Sequence, residues 1–350
     1  MGHAPQAHRF GSLPTFLSLR MNDIRISFSG TYEPTALFAW LSRHFPIRVL
    51  PEEECLQADY LICDTFNYAY EQFKGVRILL TGENHPADLN HFDYCLSHDT
   101  RESDRRHYFP YWLQTTLFLE NLRDKLTTPR TPLTAEELRE QKRGFCAFVS
   151  YNASAKKRVN FVKHLMKHRR VSCGGPLFNN VGGRVANKIG FLSEHYFSIA
   201  YENEASPGYQ TEKITDAFIA RSIPLYYGNP LVGQVFNPKA FINAADFRNE
   251  DELVDYILKL ADDEERLLAM LNEQPLLNPA LPDEAEAELL AFFTRIFERG
   301  PQAIQRTRLQ RCLAFLSNFY GHGFFRTYRR ISRRIRGKKS RNRLHQFPRE

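Results

Sequence analysis

The segment PGYQTEKITDAF (207–218) places an aromatic ring, a carboxylate and an ammonium around the predicted start of a helix. Thr211 can cap this helix, and we expect the ring of Tyr209 to be exposed beside it. A helix N-terminus offers unpaired N–H groups and a partial positive charge, which suit a phosphate group. The first turn of a helix normally collects acids, so Lys213 indicates that an anion binds there. The spacing is also compatible with a capped surface helix whose Glu212 and Lys213 form a solvated pair.

The helix that begins in this segment is predicted to join two buried strands. The run FSIAYEN (197–203) precedes it, and IPLYYG (223–228) follows it. In an open α/β sheet, ligands bind beyond the carboxyl ends of the strands, where helix N-termini point. The candidate chemistry therefore lies at a sheet edge.

Short apolar runs alternate with helical stretches along the chain, which is typical of parallel sheets covered on both faces. Before residue 123 the pattern predicts strands at 25–30, 47–50, 59–66, 76–84 and 92–99, and a helix at 34–45. A polar, proline-containing segment at 123–142 is the best domain boundary. After it the pattern predicts strands at 145–152, 197–203, 223–228 and 240–247, and a helix at 155–169. Two such units predict two nucleotide-fold domains that face each other across a cleft.

Size and composition agree with a two-domain protein of the cytoplasm. The chain has 350 residues, of which 43% are hydrophobic and 25% charged, and it has no apolar run near the roughly 18 residues that span a bilayer. The first twenty residues lack the order of a secretory signal. The six cysteines are scattered without a CxxC pair, which argues against a zinc site or a disulfide framework and suits a reducing compartment.

The net charge of +7 arises from the C-terminal tail. Residues 326–350 contain eleven Lys or Arg and one Glu, whereas the rest of the chain has 36 basic and 39 acidic residues. Tyr328, Ile331 and Ile335 recur at helical spacing among these bases, which favours an amphipathic helix on an anionic membrane surface. Binding to nucleic acid and a disordered, solubilising tail are the alternatives.

Three blocks of the sequence resemble the signatures of the α-1,3/α-1,4-fucosyltransferases of glycosyltransferase family 10, which include bacterial enzymes that make Lewis-type antigens. The blocks are LLTGENHPADLNHFDYCLSHD (79–99), AFVSYNASAKKRVNFVKHL (147–165) and FSIAYENEASPGYQTEKITDAFIARSIPLYYGNP (197–230). They occur in the order found in the family.

The resemblance implies an α/β fold of the GT-B type, in which two Rossmann-like domains face each other across a cleft, here with a basic C-terminal tail. The resulting division is a disordered leader at 1–20, an N-terminal acceptor-side domain at 21–128, a linker at 129–142, a GDP-fucose-binding domain at 143–300, and C-terminal helices with the membrane-association tail at 301–350.

The resemblance also implies roles for individual residues. Arg158 and Lys213 clamp the diphosphate of GDP-fucose, as two cations can. Asn203 and Tyr209 hold the nucleotide or its phosphates. Glu212 contacts the ribose or the fucosyl ring, where its charge favours the positive charge that develops at the anomeric carbon. From the sequence alone, Arg158 could equally be a solvated cation on a helix face.

Fucosyl transfer with inversion needs a base that takes the proton of the acceptor hydroxyl. Glu83 is the candidate because it follows the predicted strand VRILL; a loop carboxylate that binds backbone amides is the alternative. The sequence contains no Asp-x-Asp motif, so we expect no obligatory metal or other cofactor beyond the donor GDP-fucose.

Two further segments have open interpretations. The aromatic residues of RRHYFPYWLQ (105–114) could stack on sugar rings or fill the core. The glycine-rich stretch VSCGGPLFNNVGG (171–183) could be a flap over the donor, but glycine content alone indicates little, so we favour a long surface loop.

The sequence thus predicts an inverting fucosyltransferase that acts on the N-acetylglucosamine of an N-acetyllactosamine-type acceptor, with an α-1,3 rather than an α-1,4 linkage. We expect it to work in surface-glycan or O-antigen synthesis, to lie in the cytoplasm on the inner face of the membrane, and to bind no nucleic acid. The alternatives are a GT-B transferase that uses another nucleotide sugar and a non-enzymatic nucleotide- or nucleic-acid-binding module.

Overall fold

Two parallel β-sheets form the centre of the structure, which is a computed structural model. It describes residues 23–31, 34–64, 69–101, 103–119 and 121–305. The predicted leader and the basic amphipathic part of the tail lie outside these residues. Within the described ranges, no helix has both the length and the apolar character that crossing a bilayer requires.

The first sheet has six strands in the order β2-β1-β3-β4-β5-β6. Its strands are β1 Ile24–Ser29, β2 Ile47–Val49, β3 Tyr60–Cys63, β4 Val76–Leu80, β5 Tyr94–Ser97 and β6 Arg106–Tyr108. Helices α1 Thr35–His44, α2 Tyr111–Phe118 and α3 Leu122–Thr127 belong to the same part of the chain. Every residue of β3 and β5 is buried, as expected for parallel strands covered on both faces.

The second sheet has five parallel strands in the order β11-β10-β9-β7-β8. Its strands are β7 Gly144–Phe148, β8 Val171–Cys173, β9 His195–Tyr201, β10 Ile223–Tyr227 and β11 Ile242–Asn243. The remaining helices are α4 Ala135–Gln141, α5 Lys156–Leu165, α6 Lys188–Ser193, α7 Glu212–Ile219, α8 Glu250–Ala261, α9 Glu264–Asn272 and α10 Leu281–Glu298. The prediction of two Rossmann-like domains is confirmed.

Some predicted elements were too long, and two strands were missed, of which β8 Val171–Cys173 begins the stretch that was predicted as a flap or surface loop. The strand predicted at 240–247 is limited to Ile242–Asn243, because the Asn243 side chain accepts a hydrogen bond from the Ala245 N–H and a 3₁₀ turn follows. The helix predicted at 155–169 ends at Leu165. Strand β6 lies in the aromatic segment 105–114, for which no strand was predicted.

The last helix, α10, packs on the first sheet although it follows the second along the chain. The ring of Phe292 lies against Tyr94, and Phe297 makes an edge contact with Tyr60. The indole N–H of Trp40 donates to Glu286 at 2.6 Å. The predicted donor domain at 143–300 therefore includes a helix that, in space, completes the other domain.

The loop before α7 docks directly on the first sheet. Asn84 donates to Glu204 at 3.0 Å, and the backbone N–H of Trp112 donates to the carbonyl of Gln210. Gly208 sits between them with a φ of +79°, and a Cβ there would lie 2.1 Å from the carbonyl oxygen of His98. Both the backbone conformation and the close approach require glycine.

We therefore expect Gly208→Ala to separate this loop from the first sheet, lower the thermal midpoint and reduce activity. Gly182→Ala is a matched control for the backbone conformation, because Gly182 has a φ of +84° with no atom near its missing Cβ; it should cost only about 1 kcal/mol of strain. Gly233→Ala, where a Cβ would make an ordinary contact, should change little. If Gly208→Ala and Gly182→Ala lower the midpoint equally, close docking is not what requires glycine.

Candidate functional site

The order of the second sheet defines where a ligand can bind. From β7 the chain first adds β8 on one side of the sheet and then adds β9, β10 and β11 on the other side. The strand order therefore reverses between β7 and β9, although the strands stay parallel. In doubly wound sheets the ligand crevice lies at this point, beyond the carboxyl ends of the strands.

Arg158 lies in this crevice. Its guanidinium donates to the carbonyl of Tyr201, which ends β9, at 3.0 Å and to that of Asn152, which follows β7, at 3.1 Å. The residue is 2% exposed, and its Nε is buried without a hydrogen-bond partner. Burial lowers the pKa of Arg158, while the charges of Glu202 and Glu212 oppose that shift. A solvated cation on a helix face is therefore excluded.

The sequence of α5 explains the burial of Arg158. Phe161, Val162 and Leu165 form the buried stripe of this helix, and Arg158 occupies the preceding position of the same stripe. A turn closed by Asn152, whose side chain accepts from the Ser154 N–H at 2.9 Å, leads into it. The first turn of α5 thus carries a cation into the crevice.

The start of α7 is built around a buried carboxylate, Glu202. Thr211 caps the helix, as predicted. Its backbone N–H donates to Glu202 Oε1 at 2.7 Å, and its hydroxyl donates to Oε2 at 2.8 Å. Lys213 Nζ donates to the same carboxylate at 3.1 Å. Burial raises the pKa of Glu202, and Lys213 partly offsets this.

The Glu202 carboxylate gives Lys213 an anionic partner within the protein. The sequence argument took a cation in the first turn as the sign of an external anion, but Glu202 supplies an internal one. Burial lowers the pKa of Lys213, yet Glu202 and Glu212 outweigh burial and the net shift is upward. Hydrogen bonds to Glu202 and Thr211 use two of the three N–H groups of the ammonium, so one remains for a ligand.

Glu212 is held between two cations. Its Oε1 lies 3.9 Å from Lys213 Nζ and 3.9 Å from Lys188 Nζ, and Lys188 also donates to Asp216 at 2.6 Å. Burial would raise the pKa of Glu212, but the two lysines more than offset it and the pKa lies below its ordinary value. The half-buried carboxylate is therefore anionic near neutral pH.

Tyr209 is buried, so the expectation of an exposed ring was wrong. It is 2% exposed, and its ring packs against His98 at a centroid distance of 5.4 Å, because the loop docks on the first sheet. Burial raises the pKa of Tyr209 strongly, and the charges of Glu202, Glu83 and Glu212 raise it further. Its hydroxyl thus lies in the field of carboxylates from both domains.

Glu83 and Asn203 lie at the facing edges of the two sheets. Glu83 comes three residues after β4, and it is exposed while its backbone N–H donates to the Thr81 hydroxyl at 3.1 Å. Asn203 is half-buried directly after Glu202. The structure therefore brings all six predicted site residues to one region; their individual roles stay predictions.

The two segments with open interpretations resolve differently. Phe109 and Trp112 are fully buried core residues, whereas Tyr111 is 39% exposed. The glycine-rich stretch runs from β8 into a surface loop in which Asn179 donates to the carbonyls of Gly175 and Gly183.

Sequence reasoning missed Glu202, Lys188 and Asp216. Glu202 was part of the family block but received no role, and no local pattern reveals that it faces a helix start nine residues later. Lys188 follows Asn187, which caps α6, and its partner Asp216 lies 28 residues further on. Among the described residues, no group of three or more His, Cys, Asp or Glu is arranged to hold a metal ion.

Two family profiles match the chain one after the other. The profile described as "Alpha-(1,3)-fucosyltransferase FucT N-terminal domain" matches residues 23–115, and that described as "Glycosyltransferase family 10 (fucosyltransferase) C-term" matches residues 138–274. The second match contains both Arg158 and α7.

Curated relatives are similar over part of their length. Alpha-(1,3)-fucosyltransferase FucT of Helicobacter pylori is 32% identical over 259 residues, which cover 63% of this chain and 53% of that protein. Alpha-(1,3)-fucosyltransferase B of Drosophila melanogaster is 37% identical over 118 residues, which cover 30% of this chain and 27% of that protein. The chain thus spans about half the length, or less, of these relatives.

A solved structure matches across nearly its whole length. The crystal structure of an α1,3-fucosyltransferase with GDP-fucose aligns with a TM-score of 0.68 and 27% identity, covering 84% of this chain and 96% of that one. The two-domain architecture is therefore the GT-B fold that the sequence resemblance implied.

The buried pair Glu202–Lys213 should be strongly coupled. Glu202→Gln leaves the Lys213 ammonium without its buried partner, which should cost about 3 kcal/mol of unfolding free energy. Lys213→Met should be similarly destabilising. The double variant should lose clearly less unfolding free energy than the two single variants lose together. Urea midpoints of the four proteins measure this coupling.

The pair Arg248–Glu252, which joins the residue before the cap of α8 to the first turn of that helix, is the matched control. Its N–O distance is also 3.1 Å, but its side chains are largely exposed, so the cycle of Arg248→Gln and Glu252→Gln should be nearly additive. If the Glu202–Lys213 cycle is equally additive, the internal ion pair does not hold the start of α7.

Proposed function

The chain belongs to glycosyltransferase family 10, the fucosyltransferase family, and we propose that it is an inverting fucosyltransferase that uses GDP-β-L-fucose. The acceptor is the N-acetylglucosamine of an N-acetyllactosamine-type glycan, and the linkage is α-1,3. The observation that carries the proposal is Arg158, a buried cation in the ligand crevice whose hydrogen-bond partners are neutral carbonyls. The matching structure with GDP-fucose supports the choice of donor.

The diphosphate binds between Arg158 and α7. Arg158 offers its unpartnered Nε–H, and Lys213 offers its third N–H. Because Lys213 is already paired with Glu202, Arg158 supplies the main uncompensated charge. Both cations stabilise the negative charge that GDP gains as the glycosidic bond breaks. Asn203 and Tyr209, on the loop between them along the chain, hold the nucleotide or its phosphates.

The two candidate carboxylates have different roles because their environments differ. Glu212 is flanked by Lys188 and Lys213, which stabilise its anionic form. It is therefore a poor base, and its charge instead favours positive charge at the anomeric carbon. Glu83 is exposed on the other domain, where it takes the proton of the acceptor hydroxyl as the new bond forms.

The cellular setting is also part of the proposal. We infer that the enzyme acts in surface-glycan or O-antigen synthesis. We also infer that it lies in the cytoplasm against the inner face of the membrane, because its tail at 326–350 is strongly basic. Flotation with anionic liposomes should be lost on removal of residues 324–350; equal flotation would remove the membrane assignment.

A single incubation tests the proposed reaction. Purified protein with GDP-fucose and both type 1 and type 2 disaccharides should give a fucosylated type 2 product by mass spectrometry, because only type 2 leaves the 3-hydroxyl of N-acetylglucosamine free. GDP-mannose should give no product, and a chelator should leave the rate unchanged. Turnover with GDP-mannose alone would support the alternative of another nucleotide sugar, and activity that needs added Mn²⁺ would contradict the expectation of no obligatory metal.

Arg158 should determine affinity for GDP. Arg158→Lys keeps the charge but loses the planar guanidinium, so the Kd for GDP should rise about tenfold or more, measured by calorimetry. Lys167→Gln, an exposed position just beyond the same helix, should have no effect. A wild-type Kd for Arg158→Lys and also for Arg158→Gln would show that the diphosphate binds elsewhere.

A further inference from the structure

Tyr111 stands apart from the aromatic residues around it. Phe109 and Trp112 are fully buried in the core, but Tyr111, the first residue of α2, is 39% exposed. The core is therefore complete without this ring, and its exposed face is free to contact a ligand.

The first turn of α2 is fixed to both halves of the candidate site. The Gln114 amide donates to the carbonyl of Thr81 at 3.1 Å, which holds α2 against the loop that carries Glu83. The backbone N–H of Trp112 donates to the carbonyl of Gln210, directly before the Thr211 cap of α7. Tyr111 precedes Trp112 and so lies between the Glu83 loop and the start of α7.

Gly82 sets the position of the ring. A Cβ at Gly82 would lie 2.4 Å from Cδ2 of Tyr111 and 3.0 Å from its Cγ. The Cβ–Cγ–Cδ2 edge of Tyr111 therefore lies close to the backbone next to Glu83, an approach that only glycine permits.

The hydroxyl of Tyr111 lies in the field of both candidate carboxylates. Burial of the hydroxyl end raises the pKa of Tyr111, and the charges of Glu212, Asp216 and Glu83 raise it further, while Lys213 opposes them. The charges of Glu83 and Glu212 thus both act on the Tyr111 hydroxyl.

We propose that Tyr111 is the platform on which the acceptor sugar packs while Glu83 reaches the hydroxyl that is fucosylated. The proposal rests on the proposed function and adds an acceptor-binding residue to it. The face of a pyranose ring that carries axial C–H groups is apolar and packs well on an aromatic ring, whereas its hydroxyls stay at the edges. A ring fixed on Gly82 presents such a face at the base of the Glu83 loop.

The test separates the acceptor from the donor by steady-state kinetics. Tyr111→Ala should raise the acceptor KM about tenfold and change the KM for GDP-fucose much less. Tyr111→Phe keeps the flat ring and should recover most of the acceptor affinity, whereas Tyr111→Leu, apolar but not flat, should not. Leu119→Ala, at the other end of α2 and 53% exposed, is the matched control and should behave as wild type.

Each outcome decides the proposal. An acceptor KM within twofold of wild type in Tyr111→Ala, or equal defects in the Phe and Leu variants, would overturn it. A rise confined to the donor KM would assign Tyr111 to the fucosyl group instead. Failure of the wild-type protein to turn over GDP-fucose would reject the proposed function, which is a separate result.

Gly82 provides an independent check that does not remove the ring. Gly82→Ala should displace Tyr111 and raise the acceptor KM. In the Tyr111→Ala background the contacts with Cδ2 and Cγ are removed and only the 3.2 Å contact with Cβ remains, so the same change should have a much smaller further effect. If Gly82→Ala raises the acceptor KM equally in both backgrounds, the ring does not link Gly82 to acceptor binding. The proposal that Tyr111 is an acceptor platform would then be wrong.

Discussion

The candidate site depends on the buried carboxylate of Glu202. The Glu202 side chain is fully buried, and the loss of water around a charged group is costly. Hydrogen bonds and an opposite charge must therefore stabilise it. Glu202 receives them from the Thr211 backbone, the Thr211 hydroxyl and Lys213. The same bonds fix where α7 begins and which way Lys213 points. Lys188 is likewise matched to Asp216, whereas Arg158 donates its hydrogen bonds to the carbonyls of Tyr201 and Asn152. That uncompensated charge is why we propose Arg158 as the main contact of the diphosphate.

Helix α7 is held at both ends and along one side, which makes it a rigid support for the site. At the N-terminus of α7, Glu202 accepts hydrogen bonds from Thr211 and Lys213. In the last turn of α7, Arg130 donates to the carbonyl of Phe218 at 2.6 Å. The negative and the positive charge both complement the helix dipole. Its apolar face, with Ile214 and Phe218, belongs to the same core cluster as Trp112 of the first domain. The donor-side helix thus packs in a core shared by both domains, and the docked loop at Gly208 continues this contact.

The parts of the structure that local sequence determines were predictable. Alternating apolar runs and helices gave two parallel sheets, and the cap at Thr211 placed the start of α7 correctly, because capping acts over two or three residues. The burial of Tyr209 and the partner of Lys213 were not predictable, since they depend on the loop docking against His98 and on a carboxylate contributed by another strand. The burial of Arg158 could have been predicted from the helical spacing of α5, because Arg158 lies on the same face as Phe161, Val162 and Leu165. Sequence patterns do not suggest it, however, since an arginine in a helix is normally assigned to the solvent-exposed face.

In the reaction that we propose, the different surroundings of Glu83 and Glu212 let the two carboxylates keep separate roles. Between Lys188 and Lys213, Glu212 gains little by taking up a proton, since protonation would remove a charge that both lysines stabilise. In the proposed reaction it therefore stays negative, close to the cations that compensate the diphosphate of the leaving GDP. Glu83 lies on the opposite domain beside an exposed aromatic ring, where a sugar hydroxyl can reach it from the cleft. In the proposed mechanism, the domain interface thus separates Glu83, which accepts a proton, from Glu212, which does not.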